Sequence, residues 1–256
     1  MQNNIFLGLF VGHNTVTLKE VDSTNSYLKQ ALSKSTPLPE GTVIMAETQF
    51  SGRGQTQNVW HSEPGKNLTL SILLNPRFLE VQRQFDLNIA VSLAINDVLT
   101  RYFGNAALIK WPNDSYIEDE KIGGMLIENI IQGSQIKHAI IGVGLNINQS
   151  EFPAILQKVT SFRKILHADY DLNIIKNEIC GSVEARYLQL KAGRIESMKL
   201  EYLNKLYLLN LWSDYKINGQ IIAGKIVDVT SQGFLQLETE KGLQEFALQQ
   251  IQFIKN

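Results

Sequence analysis

Apolar positions recur at helical spacing in two long stretches. From Asp86 to Phe103, the residues Leu87, Ala90, Val91, Ala94, Val98 and Tyr102 fall on one face and Gly104 follows the end, which predicts a helix with a glycine stop. From Tyr170 to Leu209, Ile174, Ile175, Ile179, Val183, Tyr187 and Leu190 share a face, and Gly193 breaks the run. A shorter stripe of Tyr27, Leu28, Ala31 and Leu32 follows Asp22 and Ser23, either of which can cap a helix start. Between these lie apolar runs too short for helices: Ile5 to Val11, Val16 to Val21, Thr42 to Ala46, Asn67 to Leu74 and His138 to Val143 read as strands. The pattern as a whole is α+β, a mixed sheet with packed helices.

Two stretches fit neither period. Glu47 to Trp60 has almost no aliphatic residues and is expected to be a mobile loop. Leu108 to Asn129, LIKWPNDSYIEDEKIGGMLIEN, reads as strand ends around turns: Pro112 cannot donate a ladder hydrogen bond, Asn113-Asp114 favour a turn, and Glu118-Asp119-Glu120 turn the chain back. Gly123-Gly124 then interrupt an apolar strand, which implies that another backbone or a ligand comes close. After Trp212 short strands follow one another at regular intervals, with Asn218-Gly219 marking a hairpin. This divides the chain into a main domain, residues 1–211, and a small barrel, 212–256, too small to be very stable alone.

Composition narrows the function. Hydrophobic residues make up 44% and charged ones 19% of 256, ordinary globular usage. A formal net charge of -1 gives no electrostatic footprint for nucleic acid, so any bound anion must be held locally. A single cysteine, Cys180, excludes a disulfide framework and points to the cytoplasm, and the four scattered histidines give no transition-metal site. The run Ile5 to Val11 is far short of the ~20 residues that span a bilayer, so no membrane partner is expected. Neither a P-loop nor a dinucleotide fingerprint is present, because the Gly-Arg-Gly of residues 52–54 opens no helix.

Taken singly, these motifs are ordinary: Pro-Asn-Asp is common turn chemistry, Asp-Ser-Thr-Asn a helix cap, and Trp60 as readily a core aromatic as a ligand contact. Together, four blocks in order resemble the biotin protein ligases. They are Asp22-Ser23-Thr24-Asn25; the loop GRGQTQNVW, ending at Trp60; KWPND (residues 110–114) with the spaced Lys121-Ile122-Gly123-Gly124; and Gly142-Val143-Gly144-Leu145-Asn146. The resemblance covers nearly the whole chain. It implies a class II synthetase-like catalytic domain with an SH3-like barrel, biotin and ATP as substrates with Mg²⁺, and a carboxyl-carrier domain whose lysine receives biotin.

Carried over residue by residue, the resemblance makes Lys121 and Arg53 catalytic. Biotin would meet Ser23, Thr24, Asn25, Gln49, Gly52, Arg53, Gly54, Lys121, Gly124 and Gly144. ATP would meet Arg53, Gly54, Gln55, Asn58, Trp60, Lys110, Asn113, Asp114 and Asn146, with Asp114 holding Mg²⁺ through oxygen, as hard cations prefer. Joining a carboxylate to a phosphate brings two anions together, so positive charge and alignment matter more than acid or base catalysis. Many members of the family carry basic residues where this chain has Gln55 and Asn58, and glycine at Gln57, so its loop is expected to hold an adenylate less firmly. Lipoate ligases share fold and lysine but lack the KWPND and GRG segments. With 21 residues ahead of Asp22, against ~50 for a domain, no winged helix and no DNA binding are expected. The sequence leaves the oligomeric state, a homodimer included, open.

Overall fold

The structure, a computed structural model, describes residues 9–33, 37–55, 58–156 and 158–254. Strands β1 (Thr15–Val21) and β2 (Val43–Gln49) are parallel neighbours joined by the crossover helix α1 (Thr24–Leu32). The remaining neighbours in the sheet are antiparallel: β3 (Leu68–Leu74), β4 (Ala107–Lys110), β5 (Asp114–Ile117), β6 (Glu120–Gln132) and β7 (Gln135–Leu145). The order across the sheet is β1-β2-β3-β7-β6-β5-β4, so the two longest strands, β6 and β7, lie inside it.

Strand parity divides the apolar residues between two faces. Leu70, Ile72, Ile141 and Val143 join the large core that also holds α2 (Gln84–Phe103), α3 (Phe162–Leu166), α4 (Leu172–Lys191) and α5 (Ile195–Asn204). The alternate residues Ile44, Leu73 and Ile140 pack under Leu28 of α1 in a small separate cluster. Because α1 covers only part of that second face, the rest is open to a ligand. β3 is buried along its whole length, which is why it reads as a continuous apolar run.

A five-stranded sheet, β11-β10-β9-β8-β12, is built from β8 (Trp212–Ile217), β9 (Gln220–Val229), β10 (Leu235–Thr239), β11 (Gly242–Phe246) and β12 (Ile251–Phe253). Asn218 and Gly219, both at positive φ, make the β8–β9 turn as the sequence predicts. This sheet is anchored to the main one by the KWPND segment: the buried Trp111 donates from Nε1 to the carbonyl of Gly233 at 3.1 Å, and Lys110 Nζ lies 4.7 Å from the centre of the Phe253 ring.

Three expectations need correction. Residues 9–14 form turns where Ile5 to Val11 read as a strand; residues 5–8 lie outside the described ones. Residues 47–49 extend β2, shortening the expected loop. Ile174 is exposed, because one face cannot bury both members of an adjacent pair at the start of α4, and Ile175 takes the core position. α3, five residues long, is too short to show a period.

Candidate active site

One line of cross-strand partners crosses the open face. Thr69 pairs with Gly144, Gly144 with Gly124, Gly124 with Asp114, and Asp114 with Lys110, stepping from β3 through β7, β6 and β5 to β4. Regular alternation along β6 would turn Lys121 away from this line. A β-bulge prevents that: between Ser115 and Tyr116 on β5, β6 advances from Gly123 to Lys121, so Ile122 is the extra residue. Ile122 goes fully into the core and Lys121 comes out on the face of Asp114, where its Nζ lies 2.7 Å from Asp114 Oδ1. Both side chains are half-buried. The strand carrying Lys121 is further pinned by Lys121 N–H to Lys158 O and Thr160 N–H to Lys121 O.

The glycines in this line have no room for a side chain. A Cβ on Gly124 would stand 2.8 Å from Asp114 Oδ1, on Gly144 2.6 Å from the Trp60 ring, and on Gly142 2.5 Å from Asn25 Oδ1. The floor is therefore bare backbone, over which neighbouring side chains lie flat. Above it opens a cleft of about 390 Å³.

At one end of the cleft the start of α1 supplies a polar pocket. Ser23 holds the N-cap position with extended backbone, as the sequence predicts, although among the described residues its hydroxyl makes no capping bond. Gln49 takes over: its Oε1 accepts from the Thr24 backbone N–H at 2.8 Å and faces the Thr24 hydroxyl at 3.1 Å. Behind them the buried Ser71 Oγ lies 2.7 Å from Thr24 Oγ1 and 2.5 Å from Asn25 Oδ1. Asn25 donates from Nδ2 to Glu128 Oε2 at 2.9 Å.

At the other end, Lys110 donates to the Tyr116 hydroxyl at 3.1 Å. Burial first, then the charge of Asp114, pushes the Tyr116 pKa up, so it remains a neutral phenol there. Asn113 donates from Nδ2 to Met125 O, and the Pro112 carbonyl accepts from Asn88 and Tyr202; these bonds fix the Trp111–Asn113 turn after a cis Trp111-Pro112 peptide. The glycine loop is a small hairpin at its base, with Arg53 bridged to Val59 and Trp60 N–H bonded to Gly52 O at 2.9 Å. Trp60 is half-buried on Gly144, and its buried Nε1 has no partner among the described residues.

Residues 18–146, just over half of the chain, match the Biotin/lipoate A/B protein ligase family. The chain belongs to this family. Residues 216–251 match the Biotin protein ligase C terminal domain, the position of the second sheet. Among solved structures, the fold is similar to that of a biotin protein ligase from Aquifex aeolicus in complex with biotin and ATP, with a TM-score of 0.78 and 27% identity over 95% of this chain and 100% of that one. In sequence the chain is 30% identical to the bifunctional ligase/repressor BirA of Bacillus subtilis, over 81% of this chain and 64% of the relative. It is 33% identical to a human biotin–protein ligase over 53% of this chain and 19% of the relative. The chain thus spans less than two thirds of the length of these curated relatives.

All but two of the residues that the biotin protein ligase resemblance implies line the one cleft. Gly52 faces an adjoining hollow behind the loop. Asn146 is buried outside the cleft lining; it donates to Thr160 O at 3.1 Å, and its Oδ1 has no partner among the described residues. Gln57 lies outside the described residues, so the loop is seen only on either side of residues 56 and 57. Sequence reasoning missed Thr69, Leu248, Gln252 and Phe253, which also line the cleft, and Glu128 and Ser71, which hold its polar end. Glu128 was visible in principle as an acid directly after the apolar run Met125–Ile127, at the parity of Gly124 and Leu126. The barrel residues gave no signal, since only docking brings them there. Among the described residues no helix is long and apolar enough to cross a membrane, and no three His, Cys, Asp or Glu side chains cluster to hold a metal ion.

Proposed function

We propose that this chain is a biotin protein ligase, which joins biotin to AMP at the expense of ATP and then transfers the biotinyl group to a lysine of a carboxyl-carrier domain. The observation that carries the reading is the bulge that turns Lys121 onto the glycine floor beside Asp114, in a cleft whose other end is the Ser23–Thr24–Asn25–Gln49 pocket. The hydroxyls of Ser23 and Thr24 and the amide of Gln49 suit the ureido head of biotin, which both donates and accepts hydrogen bonds. The KWPND and GRG segments and the names of the relatives favour biotin over lipoate.

In the first step a biotin carboxylate oxygen bonds to the α-phosphorus of ATP and pyrophosphate leaves. Lys121 supplies positive charge where that phosphorus gathers charge, and Arg53 adds a second cation from the loop. Trp60, with its free indole face beyond Gly144, and Lys110 with Asn113 are placed for the nucleotide. In the second step the acceptor amine bonds to the biotinyl carbonyl carbon and AMP departs with the bonding pair. Water would destroy the mixed anhydride, so the hairpin over the cleft excludes it.

The residues also fit Mg²⁺. Asp114 is the one carboxylate lining the cleft among the described residues, and Mg²⁺ in nucleotide sites takes one or two carboxylates with the rest of its shell from phosphates and water. Asp114 would hold it, and the ion would neutralise phosphate charge. The test is exchange of labelled pyrophosphate into ATP, expected only when biotin is present. Exchange driven by lipoate and not by biotin would overturn the assignment.

A further inference from the structure

Three consecutive residues of the turn between β4 and β5 are each tied to a different part of the molecule. Trp111 donates from Nε1 to Gly233 O, between β9 and β10 of the small sheet. Asn113 donates from Nδ2 to Met125 O on β6, and Met125 N–H returns to Asn113 O at 3.3 Å. Between them, the Pro112 carbonyl accepts from Asn88 Nδ2 of α2 at 2.8 Å and from the Tyr202 hydroxyl of α5 at 3.1 Å. The residues flanking this tied stretch, Lys110 and Asp114, are cross-strand partners, and both line the cleft.

Tyr202 is fully buried, its ring packs edge-on against Phe85, and its hydroxyl makes this one hydrogen bond among the described residues. A phenylalanine would fill the same core space, so what the hydroxyl adds is its hold on the turn. Burial pushes the Tyr202 pKa up, which keeps it a neutral phenol able to donate. A carbonyl oxygen has two lone pairs, and at Pro112 both receive donors from helices of the large core, on the opposite face of the sheet from the cleft. A reaction between two anions tolerates little drift in its charged groups, since a misplacement of about 1 Å can cost roughly a hundredfold in rate. We propose that Asn88 and Tyr202 are positioning residues: from the core side they pin the Pro112 carbonyl, and so hold Lys110 and Asp114 in fixed places on the cleft floor to meet the phosphates of ATP. The part concerning ATP rests on the ligase reading; the pinning itself does not.

The test compares wild type, Asn88→Leu, Tyr202→Phe and the double variant; each substitution removes a donor and keeps most of the volume. In the ligand-free protein, amide hydrogen exchange at Met125, whose N–H closes the turn on Asn113 O, reports the pin. Losing one neutral hydrogen bond corresponds to roughly a two- to tenfold effect, so each single variant should speed that exchange by about this factor. The double variant should exceed the product of the two, because only there does the carbonyl lose both partners. Amides of β3, which has a neighbouring strand on each side, should exchange as in wild type. Unchanged Met125 exchange in either single variant, or a double variant that is merely additive, would overturn the pinning; so would equally faster exchange in β3, the mark of general loosening. In biotin-dependent pyrophosphate exchange, kcat/KM for ATP should fall in both single variants and by roughly ten- to a hundredfold in the double. Biotin affinity in calorimetry should stay within about twofold of wild type throughout. Unchanged ATP kinetics in a folded variant whose Met125 amide exchanges faster, or biotin affinity lost in step, would overturn the positioning role. A wild-type chain without biotin-dependent pyrophosphate exchange would sink the ligase reading and with it that role, while the Met125 amide would still decide the pinning.

Discussion

Lys121 owes its position to one inserted residue. Its ion pair with Asp114 is half-exposed, so its removal should change stability by no more than about 1 kcal/mol. Lys121→Ala is expected to abolish biotin-dependent pyrophosphate exchange while keeping its urea midpoint near wild type; exchange at the wild-type rate in the folded variant would remove Lys121 from the chemistry. Gly144 tests the opposite wall. Adding a methyl there puts a Cβ 2.6 Å from the Trp60 ring and must displace it. If that ring stacks on the adenine, losing roughly 1–3 kcal/mol of stacking should raise the ATP KM by about five- to 150-fold in Gly144→Ala, with a shift in tryptophan emission. The identities of these residues were legible in the sequence; their geometry was not, because a bulge leaves no mark in hydrophobic period, and Lys121 beside an acidic triplet reads as a solvated charge.

The elements were legible where a period was long. α2 needed only its own residues, and the core positions Leu87, Ala90, Val91, Ala94 and Val98 are all buried as read. α4 shows where that reading ends. Glu184 looks like one more solvated charge on a helix, yet it is buried and accepts the backbone N–H groups of Leu9, Phe10 and Val11, fixing the start of the described chain against the helix. Its partners lie more than 170 residues away, beyond the reach of any local pattern. Glu184→Ala should destabilise the protein by roughly 1–3 kcal/mol in urea unfolding, since three backbone donors, that of Val11 buried, lose a charged acceptor. A loss below about 1 kcal/mol would mean that water replaces the carboxylate.

In the whole molecule the two sheets share one cleft. The expectation of a small barrel docked on the main domain gains content here, for Leu248, Ile251, Gln252 and Phe253 line the cleft, and Trp111 and Lys110 lie under the barrel. We place the boundary at Leu211, ahead of β8, on the start of that strand. Truncation there should uncover Trp111, lower solubility and reduce biotin transfer, while the Thr24–Gln49 pocket, built from α1 and β2 of the main domain, should still bind biotin in calorimetry. Unchanged transfer by the shortened chain would make the barrel dispensable.

The glycine floor sets a limit on what this cleft can become. Mutation can put atoms onto Gly124, Gly142 or Gly144 but can take none away, because the surface there is already the main chain of two hydrogen-bonded inner strands. A bulkier analogue of the substrate therefore cannot gain depth. Any room must come sideways, by shortening Leu126, which lines the same cleft at the parity of Gly124 and still has methyl groups to lose. Selection for altered acyl groups should accumulate changes there and leave the glycines untouched.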